Sequence, residues 1–253
     1  MRIVRFQAGG EPRYGVVEDD IVRELVGNVF GRFRVTRKKH PLNRIRFLCP
    51  TEPTKIVGVG LNFRDHAAEL GFELPGEPVI FIKPGTTVLP HGGKILYPKV
   101  SNRLDYGAEL AVVIGRYAKE VSTKRAARII LGYTCFNDVT ARDLQRKDGQ
   151  WTRSKSFDTF GPVGPWVETA LDPHNAPVRA YLNGDLKQSS STVNFIFDVP
   201  YMVSFITRIM PLFPGDIIAT GTPSGIGPMK PGDTIEIEIG GIGRLRNTVT
   251  RQP

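Results

Sequence analysis

Apolar residues fall in short runs along the chain, and most of these runs predict strands. Residues 3–6, 14–17 and 21–25 are separated by Gly-Gly-Glu-Pro and Glu-Asp-Asp, which predicts a small β meander. Pro50 and Pro53 bracket a linker, dividing a small N-terminal β-rich domain, residues 1–53, from a larger domain, residues 54–253. Residues 55–60 and 78–83 read as strands, the second ending on Lys83. Residues 110–114, Leu-Ala-Val-Val-Ile, form a continuous apolar run typical of a strand buried on both faces. Residues 132–138 form another apolar strand that ends on Asp138. Asn183-Gly184, between apolar runs at 178–182 and 186–188, is the strongest hairpin signal.

Helical patterns are fewer. Residues 62–71 suit a short helix, with Asn62 able to cap its start and Gly71 its end. Residues 123–130 predict a connecting helix, 140–145 a helical turn, and 199–210 an apolar core helix closed by Pro211. Residues 72–76 read as loop. The expected class is α+β, rich in β.

A length of 253 residues provides ample core, and 40% hydrophobic with 23% charged residues is ordinary for a soluble globular protein. No apolar run approaches the ~20 residues needed to cross a bilayer, and no signal-peptide core is visible. The expected location is cytoplasmic, with no membrane partner. Cys49 and Cys135 suggest no disulfide framework. The formal charge of +9 owes much to Arg32, Arg34, Arg37, Lys38, Lys39, Arg44 and Arg46. No helix-turn-helix, zinc spacing or stacking pattern accompanies this cluster. It reads as a solvated basic surface rather than a nucleic-acid footprint.

The chemistry concentrates around residues 104–115, where Asp105, Gly107 and Glu109 alternate and would share one face of a strand. A carboxylate at the mouth of a buried strand costs free energy unless a cation compensates it. Glu109 and Asp138 therefore read as two ligands of one hard divalent metal. His66 and Glu69, three apart on a helix, share a face and form either a carboxylate-oriented general base or a surface ion pair. Lys83 either reaches an anionic ligand or ends a strand in water. Arg142 and Asp143 are expected near Asp138, and one of Arg153 and Lys155 is expected to face the site. The loop at 220–227, Thr-Gly-Thr-Pro-Ser-Gly-Ile-Gly, offers backbone N–H groups as an anion nest but lacks the Lys-Ser/Thr of a phosphate loop.

Taken in order, several motifs resemble the fumarylacetoacetate hydrolase family across about residues 54–250. They are Val-Gly-Leu-Asn-Phe-Arg-Asp-His at 59–66, Phe-Ile-Lys-Pro at 81–84 and Asp-Tyr-Gly-Ala-Glu-Leu-Ala-Val-Val-Ile-Gly at 105–115. Asn-Asp-Val-Thr-Ala-Arg-Asp-Leu-Gln at 137–145, Lys-Ser-Phe-Asp-Thr-Phe-Gly-Pro at 155–162, Pro-Gly-Asp at 214–216 and the loop at 220–227 complete the set. The resemblance implies a mixed β-sandwich roll, usually homodimeric, that holds Mg²⁺ or Mn²⁺ on Glu-x-Glu and a later Asp. Glu109 matches the second Glu and Asp138 the Asp. His66 and Glu69 match a dyad on a lid, Lys155 a lysine that meets the substrate, and Thr222, with Gly221, a carboxylate-binding loop. Lys83 and Arg142 are further candidates for an anionic 2-oxo acid. The implied chemistry is a metal-stabilised enolate, formed by C–C hydrolysis, decarboxylation or isomerisation.

One position departs from the pattern: Gly107 stands where the first Glu of Glu-x-Glu would be. Fewer carboxylates imply a weaker, more hydrated ion. Asp105 lies one pleat repeat away, roughly 7 Å, too far to replace it. Three accounts stay open: an altered substrate class, a non-catalytic relative, or a substitution introduced into the natural sequence.

Overall fold

A computed structural model describes residues 1–71 and 73–253. Of the expected loop at 72–76, Phe72 lies outside the described residues. The architecture is mostly β, built from a twelve-stranded, a five-stranded and a three-stranded sheet.

The large sheet begins at its edge with Phe33–Pro41 and runs through Ile21–Gly27, Arg13–Glu18 and Arg2–Gln7, the expected meander. Arg2–Gln7 then pairs with Gly161–Glu168, so these N-terminal strands continue the sheet of the larger region. Next come Ile130–Asn137, Ala108–Ile114, Ile217–Ala219, Lys55–Gly60 and, at the far edge, Val79–Pro84. The edge strand Phe33–Pro41 carries Arg34, Arg37, Lys38 and Lys39, all exposed. Its polar character hid it from the pattern, and a charged edge also discourages pairing with another chain.

Ala108–Ile114 is buried along its whole length. Leu110, Val112 and Ile114 enter the main core with Val178, Ala180, Ile235 and Ile237 of the five-stranded sheet. On the opposite face Ala111 packs with Ile56, Phe136 and Ile217, and Val113 with Ile3 and Val167. Two apolar surroundings explain the unbroken apolar run. Helix Val199–Ile209 starts at Asp198, whose carboxylate accepts from Tyr201 N at 2.8 Å. It buries Met202, Val203 and Ile206, each contributing about 1.5–3 kcal/mol. The predicted helix at 123–130 shrinks to a single turn, Thr123–Ala126.

The alternating acidic stretch is not one strand. Leu104–Tyr106 pairs with Thr140–Ala141 and Gly227–Met229 in the small sheet, and the chain crosses at Gly107 into the large one. Asp105 and Glu109 therefore serve different surroundings. No described helix is long and apolar enough to cross a membrane.

Candidate active site

The seam at Gly107 opens onto a cavity of about 330 Å³ lined by His66, Gly107, Glu109, Asp138, Arg142, Lys155 and Thr222. Seven positions singled out in the sequence thus converge, although they come from distant parts of the chain. Phe81, Gln145, Arg146 and Trp151 complete much of the wall. Phe81 and Gln145 lay within recognised motifs, whereas Trp151 gave no sequence signal beyond its size. The Lys155 ammonium sits 4.7 Å from the centre of the Phe81 ring and 5.9 Å from that of Trp151, so the aromatic wall attracts its charge.

Asp138 directly follows the strand Ile130–Asn137 and is clamped by two ammoniums. Lys83 Nζ donates to Oδ1 at 2.6 Å, and Lys155 Nζ donates to Oδ2. Burial alone would raise the Asp138 pKa, but the two lysines outweigh it and hold the carboxyl down to about 2. Glu109 has no such clamp. Burial first, and the Asp138 charge second, push it up to about 8, against a 2.8 Å hydrogen bond donated by Gly221 N to its Oε2. Among the described residues its other oxygen receives no hydrogen bond.

Several expected roles change. Lys83 is neither a cavity-lining anion anchor nor a strand end in water: it is wholly buried, and its ammonium is held by Asp138 and the Val139 carbonyl at 3.0 Å. Burial pushes its pKa down to about 8, only partly offset by Asp138. The Gly221 N–H is committed to Glu109 rather than to a substrate carboxylate. Asp143 is turned away from Asp138 and accepts from Ser101 Oγ at 2.6 Å and Asn102 N at 2.9 Å. Lys155 faces the cavity, while Arg153 pairs with Asp148 in solvent. Asn62 does not serve the following helix; its side chain accepts from Phe197 N at 2.8 Å and donates to Thr220 O at 2.8 Å.

The helix Arg64–Leu70 roofs the cavity. His66 is 7% exposed, and its Nδ1 stands 3.0 Å from Glu69 Oε2, so the dyad is assembled. Two carboxylates fasten the roof. Asp65 Oδ2 accepts from Ser190 Oγ at 2.6 Å, and Glu69 Oε1 accepts from Gly225 N at 3.2 Å. Thr222 is positioned by Gln188, whose Nε2 donates to its Oγ1 at 2.9 Å and to the Pro223 carbonyl at 2.8 Å. Because the threonine oxygen accepts there, its own proton remains available to the cavity. The buried Asp105 is satisfied by two arginines: Arg142 Nε donates to its Oδ2 at 3.0 Å and Arg103 Nε to its Oδ1 at 2.9 Å.

The profile described as "Fumarylacetoacetate (FAA) hydrolase C-terminal" matches residues 55–250. The chain belongs to the fumarylacetoacetate hydrolase family. Residues 1–50 match a profile described as "Rv2993c-like, N-terminal". Among solved members of the family, the structure resembles 2-hydroxyhepta-2,4-diene-1,7-dioate isomerase from Mycobacterium marinum. That similarity has a TM-score of 0.94 and 41% identity, over 100% of this chain and 99% of the other. Mitochondrial oxaloacetate tautomerase from Bos taurus is 41% identical over 202 residues, 78% of this chain and 91% of the relative. Maleylpyruvate hydrolase from Sphingobium, solved with manganese(II) and pyruvate, gives a TM-score of 0.84 at 28% identity with full coverage of both chains. Fumarylacetoacetate hydrolase relatives with assigned activities thus include isomerase, tautomerase and hydrolase enzymes.

A divalent ion fits the donor set found here. Among the described residues no group of three or more His, Cys, Asp and Glu is placed to share a metal. Glu109 and Asp138 nevertheless offer hard carboxylate oxygens to one cavity. Mg²⁺-type ions are commonly held by one or two carboxylates, with water and substrate oxygens completing the shell.

Proposed function

We propose that this chain is a divalent-metal-dependent hydrolase of acylpyruvate-type 2,4-dioxo acids. The carrying observation is the His66–Glu69 dyad, whose buried histidine faces the same cavity as Glu109, Asp138, Lys155 and Thr222 while the exposed Glu69 orients it. Glu109 and Asp138 would hold Mg²⁺ or Mn²⁺. When bound, such an ion supplies Lewis-acid stabilisation of the negative charge that develops on the substrate's 2-oxo and carboxylate oxygens.

This chain's own groups do the rest. Lys155 and the Thr222 hydroxyl position the carboxylate end by charge and hydrogen bonding. His66, oriented by Glu69, takes a proton from water, and the oxygen adds to the distal carbonyl carbon. The C–C bond then breaks: its electron pair passes to the pyruvate fragment as an enolate, and the acyl fragment leaves as a carboxylic acid. The proton held by His66 returns to the methylene carbon, so atoms and charge balance. Phe81 and Trp151 keep this end of the cavity apolar, which strengthens each of these electrostatic contacts.

A second reading follows from Arg142, Gln145 and Arg146, which put cationic and polar groups on the cavity wall. A 2-oxo dicarboxylate would suit that wall, and the relevant reactions are tautomerisation, isomerisation or decarboxylation. A turnover panel of acylpyruvates, oxaloacetate and 2-hydroxy-dienedioates with added Mn²⁺ separates the two. In the hydrolytic reading, His66→Ala lowers acylpyruvate turnover about 10²–10⁴-fold, the usual worth of a general base, with an unchanged circular dichroism spectrum. Full turnover by that variant discards the dyad's role.

A further inference from the structure

We infer that the cavity takes up its divalent ion and a chelating dianionic substrate as a linked pair, because with glycine at position 107 the buried set has no net negative charge to offset the ion. The inference rests on the metal-dependent reading above and adds how loading occurs.

The buried charged groups at this end of the cavity are Glu109, Asp138, Lys83 and Lys155, exposed by 2%, 6%, 0% and 5% respectively. Two carboxylates face two ammoniums, so even with both carboxyls ionised the set carries no net negative charge. A dication added alone leaves a buried excess of two positive charges, and uncompensated buried charge is costly. An anion carrying two negative charges restores neutrality. If two adjacent oxygens of that anion also bind the ion, they occupy shell positions that the protein leaves vacant. Each ligand therefore favours the other.

Gly107 is the residue that sets this balance. Its N–H donates to Asn137 Oδ1 at 3.0 Å, and its carbonyl accepts from Asp138 N at 2.9 Å, which pins its backbone beside Asp138. A Cβ built there would lie 3.4 Å from the Asp138 carbonyl oxygen and 3.4 Å from Thr222 Cβ and Cγ2, ordinary contact distances. The wall thus accepts a β-carbon between Asp138 and Thr222, and the sequence supplies none. A carboxylate at this place would add one negative charge to the buried set and provide a third carboxylate donor.

Equilibrium dialysis with Mn²⁺ and radiolabelled oxalate, corrected for the soluble manganese–oxalate chelate, reads the linkage without turnover. Oxalate is expected to tighten Mn²⁺ binding by roughly 5- to 150-fold, the usual span for coupled sites, and Mn²⁺ to tighten oxalate by the same factor. Gly107→Ala should keep that coupling, since it adds volume without charge. Gly107→Glu should bind Mn²⁺ more tightly without oxalate and lose most of the coupling. Mn²⁺ uptake by the unaltered protein that ignores oxalate overturns the inference while sparing the metal-dependent reading. Equal loss of coupling in the alanine and glutamate variants overturns it as well, because volume rather than charge would then be responsible. No Mn²⁺ uptake under either condition overturns both. The unaltered protein decides the matter should Gly107→Glu fail to fold.

Discussion

Lys83→Met tests whether the lysine is structural. The wild-type ammonium is wholly buried and gives Asp138 a 2.6 Å hydrogen bond and the Val139 carbonyl a 3.0 Å one. Methionine matches the length of the chain and removes both bonds. Breaking one partner of a buried ion pair costs about 3–5 kcal/mol, and an orphaned buried carbonyl roughly 1–3 more. Two facts reduce that sum. Lys155 still donates to Asp138, and the variant no longer has to bury an ammonium whose pKa burial pushes down to about 8. The expected net loss is therefore about 3 kcal/mol. With a urea slope on the order of 3 kcal/mol/M, the unfolding midpoint should fall by about 1 M. Equilibrium unfolding followed by tryptophan fluorescence measures it. Lys187→Met, at an exposed pair with Asp185, is the control and should stay within about 0.5 kcal/mol. A Lys83→Met midpoint as close to wild type as this control would refute the buried-pair argument.

Two further outcomes are expected. Ser190→Ala removes the hydroxyl that ties Asp65 to the strand Asp185–Ser191. About 1.5–3 kcal/mol of local hold should vanish, and amides of the helix Arg64–Leu70 should exchange hydrogen at least about tenfold faster; unchanged exchange would mean the roof is held by other contacts. Glu24, gripped by Lys38 at 3.0 Å and His40 at 2.7 Å, has a carboxyl held at about 2; burial alone would raise it, but those partners and Arg13 prevail. A depressed folded-state pKa adds stability above the ordinary value of 4.5 that is lost as pH falls from there toward 2. Glu24→Gln should cost roughly 1–3 kcal/mol at pH 7 and flatten the acid limb of a stability-against-pH curve. An acid limb identical to wild type would show that Glu24 does not contribute to it.

What the sequence determined by itself was local. Strand 55–60, the hairpin around Asn183-Gly184 and the helix at 199–209 each carry their own periodicity, turn residue or cap, so short-range physics specifies them. The motif order was equally legible and pointed to the family and to most of the cavity wall. Tertiary structure alone decided how charges were shared. A lysine at a strand end has the same spelling whether it meets water or Asp138, and only packing showed that Lys83 is consumed inside the core. The same holds for Gly221, whose N–H serves Glu109, and for Asn62, which ties distant segments rather than capping its neighbour. Nor could spacing reveal that the strand changes sheets at Gly107, separating Asp105 from Glu109. Hydrogen-bond partners and buried charge balance depend on residues from 17 to 158 positions apart, and no local pattern encodes them.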